Sequence, residues 1–204
     1  MKLYYSPGTC SLAVHIALRE ARAKFELVRV DFRSKKTEGG GDFREVNPRG
    51  YVPVLEMAGG VRRTEAAALL QIIAEMHPSS DLIPPVGTPQ RADALQWLAF
   101  VSSELHGRYG LLWRRDTDVS FRNQCAAAIF QRLGELDRLL AGGSWLVPHR
   151  FTVADIYAFT VISWSRPLEM DLSAFPHLLA WIERVGQRPA VRDALVAEGL
   201  LPTQ

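Results

Sequence analysis

Cys10 stands where a short apolar strand, Met1-Lys2-Leu3-Tyr4-Tyr5, passes through Ser6-Pro7-Gly8-Thr9 into a helix that opens at Ser11. A thiol at a helix start feels unpaired N–H groups and the positive end of the helix dipole, and both favour its thiolate. The competing reading is a small buried hydrophobe, the common fate of a free cysteine. Two further features suit the same kind of ligand. Tyr51-Val52-Pro53-Val54 sets a proline just ahead of a strand, and the sequence predicts a cis bond there. Val52 would then turn its backbone N–H and C=O outward, able to pair with a short extended peptide. Thr64-Glu65-Ala66 opens another helix, whose first N–H groups can hold a carboxylate. A thiol peptide with an anionic end fits all three.

The elements that position these residues fall into two parts. Residues 1–77 read as β-α-β followed by β-β-α. The strands are Lys2 to Tyr5, the β-branched run Phe25 to Asp31, and a hairpin of Val54 to Met57 and Val61 to Thr64 about Ala58-Gly59-Gly60. The helices are Ser11 to Ala21 and Glu65 to Met76, with a short helical stretch at Asp42 to Val46. A parallel pair needs the crossover helix, so this order implies a four-stranded mixed sheet with helices packed on it. Residues 78–89 carry Pro78, Pro84, Pro85, Pro89 and Gly87 and read as a linker. Residues 90–204 read as all helix. The first helix is capped by Thr88-Pro89 and runs to about Tyr109, and a second carries Cys125, Ile129, Leu133, Leu136 and Leu140 on one face. Cys125 on that stripe is core. Thr152-Val153-Ala154-Asp155 has the form of a capping box, and two shorter helices end the chain.

Composition narrows the function. The 204 residues are 48% hydrophobic and 23% charged, ordinary for a globular protein, and the net charge of +2 gives no ground for nucleic-acid binding. Two cysteines make neither a disulfide framework nor a metal-ligand spacing. No apolar run approaches a membrane span and no signal-peptide pattern is present, so a reducing cytoplasm is the expected compartment.

At this point the chain resembles the glutathione transferases of the bacterial beta class. The resemblance covers essentially the whole length. It is carried by Lys2-Leu3-Tyr4-Tyr5-Ser6-Pro7-Gly8-Thr9-Cys10-Ser11, Asn47-Pro48-Arg49-Gly50-Tyr51-Val52-Pro53, Ser102-Ser103-Glu104-Leu105-His106 and the capping motif at Thr152. It implies a thioredoxin-like N-terminal domain and a helical C-terminal domain, with glutathione as cosubstrate and no other cofactor. Position by position, it implies that Cys10 lies beside the glutathione sulfur and Lys35 contacts the glycine end. Val52 would pair with the cysteinyl backbone, while Glu65 and the backbone at Ala66 hold the γ-glutamyl end. His106 would reach toward the sulfur. Ser103 and Glu104 would approach the glutathione of the partner subunit in a homodimer.

Each residue also has a plainer account. Lys35 alone is an exposed lysine, Glu65 alone a helix-start acid, and His106 alone a satisfied histidine. Tyr109 and Trp113 follow His106 at i+3 and i+7 and, with Trp164, could line an apolar cosubstrate cleft; at that spacing core packing is the commoner outcome. The chain departs from the family pattern at Ala66, where serine is usual, and at Ala99, where asparagine is usual. A hydrogen bond to a charged group contributes about 1.5–3 kcal/mol, so glutathione binding is expected to be weakened rather than lost. The expected reaction is attack by the glutathione thiolate on an electrophilic, mostly apolar small molecule. Two alternatives stay open: a thiol–disulfide or peroxide reductase with Cys10 as nucleophile, and a noncatalytic interaction protein.

Overall fold

Strand β1 (Lys2–Tyr5) is the organising element of the first unit. In the structure, a computed structural model that describes residues 1–114 and 116–202, β1 pairs in parallel with β2 (Glu26–Arg29) and antiparallel with β3 (Val54–Glu56). β4 (Arg62–Arg63) extends the sheet on β3, giving the order β2-β1-β3-β4. This is the mixed four-stranded sheet expected from the sequence. Alternation along the strands decides the two faces. Leu3 and its register partner Leu55 are fully buried, while Tyr4 and Val54 cluster instead with Val30 and Phe43.

Helix α1 (Ser11–Glu20) crosses from β1 to β2, and α2 (Ala66–Met76) packs beside it. Every residue of α1 from Ser11 to Leu18 is buried, including His15. A helix covered all round needs a second partner, and the partner is α8 (Pro189–Ala197), which packs on α1. Arg188 donates to both oxygens of Glu20 at 2.6 and 2.9 Å, and buried Glu198 meets His15 Nδ1 at 2.9 Å. The sequence reading assigned all of 90–204 to the helical domain. In the structure Met1–Leu82 and the stretch from Arg188 form one compact unit, and Ile83–Gln187 forms the other. The reason is physical: α1 has no solvent face, so the C-terminal helix closes it.

The second unit contains α3 (Pro89–Phe100), a π-helical turn over Val101–His106, and α4 (Gly107–Leu112). These are followed by α5 (Val119–Leu140), α6 (Val153–Ile162) and α7 (Pro176–Gly186). The long helix expected from Thr88 to Tyr109 is therefore interrupted by a change of hydrogen-bond pattern. Thr88 caps α3 by accepting from the Arg91 N–H at 3.2 Å. The stripe Cys125, Ile129, Leu133, Leu136 and Leu140 is buried, with Cys125 in the core as the periodicity implied. The capping box at the head of α6 forms as expected. Asp155 accepts from the Thr152 N–H at 3.0 Å and also from Leu146 N and Trp181 Nε1, both at 3.0 Å. All ten residues of α6 are buried. Desolvation pushes the Asp155 carboxyl up to about 6, against the pull of those donors. No helix among the described residues is long and apolar enough to cross a membrane.

Candidate active site

Cys10 sits immediately before α1, at the end of a loop fixed by its own side chains. Thr9 Oγ1 donates to the Ser6 carbonyl at 2.8 Å, and Ser11 Oγ accepts from the Ser6 N–H at 3.2 Å. Gly8 takes a positive φ of 71°, a conformation without penalty for glycine, and donates its N–H to Glu198 Oε2 at 2.9 Å. Glu198 is a residue the sequence reading missed. Nothing in its local context marks it, because its partners His15 and Gly8 lie about 190 positions away.

The Cys10 thiol is partly exposed, yet enough protein surrounds the sulfur that desolvation dominates and pushes it up to about 12. The N–H groups of Cys10 and Ser11 pull the other way, and the Glu65 carboxylate adds to the rise. The sequence expectation of a favoured thiolate is thus corrected. The helix-start N–H groups act as foreseen, but they are outweighed. Consistent with a protonated sulfur, Cys10 Sγ donates to the Val52 carbonyl at 3.5 Å.

The turn Asn47-Pro48-Arg49-Gly50-Tyr51-Val52-Pro53 gathers the other candidates of this unit. Asn47 shapes it: its Nδ2 donates to the Tyr51 carbonyl at 2.7 Å and its Oδ1 accepts from Arg49 N at 3.3 Å. The Val52-Pro53 peptide is cis, as the sequence predicted. Lys35 lays its aliphatic stem beside Gly50, with Nζ 4.1 Å from the centre of the Phe32 ring and 5.6 Å from that of Tyr51. Desolvation first, and then the Arg44 charge, lower its pKa below the ordinary lysine value. Glu65, at the head of α2, lies 3.4 Å from Arg49, and both side chains are largely exposed. The pair therefore contributes little to stability. Its backbone is unusual: φ 68° and ψ 108°, a strained region for a residue with a Cβ. Such strain persists where the surroundings over-determine it, commonly at ligand clamps. Ala66 begins α2 and is buried. The structure thus brings Cys10, Lys35, Val52, Glu65 and Ala66 to one turn.

The remaining candidates belong to the second unit. The π-helical turn contains Ser103, Glu104 and His106 together. Ser103 is exposed, and its carbonyl accepts from Arg108 Nη1 at 3.3 Å. Glu104 is no solvated acid: Arg108 and Arg132 both hold its Oε2, at 3.0 and 3.2 Å. Arg132 also pairs with Glu135. His106 Nδ1 lies 2.6 Å from the Tyr157 hydroxyl, and its ring meets Trp164 edge-on, 5.1 Å between centres. Tyr109 is fully buried, with its hydroxyl 2.5 Å from Ser165 Oγ and its pKa pushed up to about 12 by burial. It is a core residue rather than a cleft wall, and the cosubstrate role offered for it is corrected on that ground. Trp113 is exposed and Trp164 half-buried.

Comparison with known proteins accounts for this arrangement. The glutathione S-transferase N-terminal domain profile matches residues 8–76, and the C-terminal domain profile matches residues 94–189. Glutathione S-transferase GstA of Escherichia coli O157:H7 is 40% identical over 98% of this chain and 100% of its own. A sphingomonad glutathione S-transferase solved in complex with glutathione is 43% identical, with a TM-score of 0.94 over 98% of this chain and 100% of its own. A bacterial beta-class glutathione S-transferase from Sphingomonas chungbukensis is 41% identical, with a TM-score of 0.94 over the same shares. A thioredoxin-like sheet, a helical unit and a cysteine-headed first helix therefore have one explanation: the chain belongs to the glutathione S-transferase family, in its bacterial beta class.

Proposed function

We propose that the protein is a glutathione transferase that joins the glutathione sulfur to electrophilic, mostly apolar small molecules. The observation that carries this reading is the convergence on one turn of a thiol, a backbone edge at Val52, a cation at Lys35 and a carboxylate at Glu65 on a strained backbone. Each matches a part of the tripeptide. Val52 pairs with the cysteinyl backbone, Lys35 with the glycine carboxylate, and Glu65 with the γ-glutamyl ammonium. The first N–H groups of α2, at Ala66, face the γ-glutamyl carboxylate. Binding orients the sulfur, and orientation is the main thing a conjugating enzyme must supply.

Cys10, with its proton retained, serves as a hydrogen-bond donor to the glutathione thiolate. A donor aimed at a developing or existing anion stabilises it without being consumed. The family resemblance assigns His106 a further contact to the sulfur. In the reaction the glutathione thiol gives its proton to solvent, its sulfur forms a bond to the electrophilic carbon, and the leaving group departs with the electron pair. The raised pKa of Cys10 weighs against the reductase alternative, since the thiolate is the nucleophile in thiol–disulfide exchange. We further propose a two-fold homodimer in the cytoplasm. Glu104 is held through Oε2, and Oε1 is the atom assigned to the partner subunit's glutathione.

Retention on immobilised glutathione, followed by conjugation of chlorodinitrobenzene, tests the reading. Retention with conjugation is the expected result. Failure to bind glutathione at millimolar concentration overturns it.

A further inference from the structure

Tyr157 lies on α6, two residues beyond the capping-box Asp155, where every neighbour in the helix is buried. Its own exposure is 2%, yet it delivers a hydroxyl 2.6 Å from His106 Nδ1. The two rings stand at 90°, and Trp164 meets the imidazole at 64°. The imidazole is thus held in one orientation by a phenol at Nδ1 and an indole at its edge.

A tyrosine hydroxyl can donate or accept, and a neutral imidazole can do either at Nδ1. The chemistry of the pair decides between them. A phenol, with a pKa of about 10, is a far stronger proton donor than a neutral imidazole N–H. An imidazole nitrogen, whose conjugate acid has a pKa of about 6.5, is a far stronger acceptor than a phenol oxygen. The separation of 2.6 Å places the two atoms in direct hydrogen-bond contact. Which ring nitrogen carries the proton is set by the bond the other one makes.

We propose that Tyr157 is a positioning residue that donates to His106 Nδ1 and so holds His106 as the Nε2–H tautomer. His106 then offers the reacting sulfur a donor at Nε2 rather than a base. This deepens the function proposed above and rests on it for the role of His106 at the sulfur. It also separates two mechanisms. A base would create the thiolate by taking its proton, whereas a donor stabilises a thiolate whose proton has gone to solvent.

The test uses the full chain labelled with ¹⁵N at histidine. Long-range ¹H–¹⁵N correlation spectra distinguish a protonated from an unprotonated ring nitrogen. His106→Gln identifies the His106 signals among the five histidines. The expected spectrum shows His106 with Nε2 protonated and Nδ1 bare, and Tyr157→Phe converts it to a mixture of tautomers. In parallel, Tyr157→Phe lowers kcat for conjugation about tenfold, the worth of one ordinary hydrogen bond, with KM for glutathione unchanged. An Nδ1–H tautomer in the parent protein overturns the proposal without any variant having to fold. A His106 spectrum unchanged by Tyr157→Phe overturns it as well. A parent protein that shows the expected tautomer but neither binds nor conjugates glutathione refutes the function and leaves the tautomer assignment standing.

Discussion

The protonation of Cys10 gives the sharpest test of how this site works. Desolvation raises its thiol to about 12, against about 8.5 for a free cysteine. At pH 8 those values correspond to thiolate fractions of about one in ten thousand and about one quarter, a ratio on the order of 2,000. Alkylation by iodoacetamide proceeds through the thiolate, so its rate follows that fraction. The assay uses a Cys125→Ser variant, which leaves Cys10 as the single thiol, and measures alkylation by mass spectrometry from pH 6 to 10.5. The rate should climb about tenfold per pH unit across the whole range, with no plateau. Poor access alone would lower the rate uniformly and leave an ordinary inflection in place, so the shape of the profile separates burial of charge from crowding. Glu65→Gln removes a like charge from the neighbourhood of the sulfur and should raise the rate at every pH in the range. An inflection below pH 9 in the Cys125→Ser protein would show that the helix-start N–H groups win after all, and would restore Cys10 as a candidate nucleophile.

Other outcomes follow from the same geometry. Glu65→Gln should weaken glutathione binding by about 1.5–3 kcal/mol, a loss of roughly 10- to 150-fold readable by calorimetry, because the ammonium loses its charged acceptor. Asp155→Ala leaves two backbone N–H groups and the Trp181 indole without their acceptor; at about 1–3 kcal/mol each, it should cost at least about 3 kcal/mol in urea unfolding. Asp155→Asn adds a pH test. The folded carboxyl, at about 6, lies above its unfolded value, so its contribution is full at low pH and is lost as pH rises through about 6. The stability gap between parent and Asp155→Asn should therefore narrow by up to about 3 kcal/mol from pH 4 to pH 7, and a gap that widens contradicts the assignment. Light scattering should give about twice the 22.8 kDa of one chain, and a monomer at micromolar concentration rules out the shared site at Glu104.

Local signals carried most of the architecture. The short apolar strand Lys2 to Tyr5, the Gly59-Gly60 turn and the Thr152–Asp155 box are each complete within a few residues, and each formed as read. Cys10 and Glu65 could be singled out for the same reason, since each stands immediately before a helix. What escaped was long-range. Whether a helix-start thiol ionises depends on how much protein surrounds it, which no spacing reports. Tyr157 reads as one more apolar position of a buried helix until its hydroxyl is seen at His106. The π-helical turn has no distinctive composition, because Val101 to His106 would equally suit an α-helix. Tyr109 kept its helical spacing from His106, but burial placed it in the core.

The closure of α1 by α8 matters most while the chain is being made. Residues 1–82 leave the ribosome first, yet the helix that covers Ser11 to Leu18 leaves last. At about 5–20 residues per second, the Cys10 loop waits roughly 6–23 s for its C-terminal clamp. Most of that interval is spent making the helical unit, Ile83–Gln187, which is finished only about ten residues before the clamp. Chain order and packing order therefore differ: the first helix of the chain gains its full cover only when the last one arrives. A chain ending at residue 187 would lack α8, and the face of α1 that α8 covers would lie open to solvent.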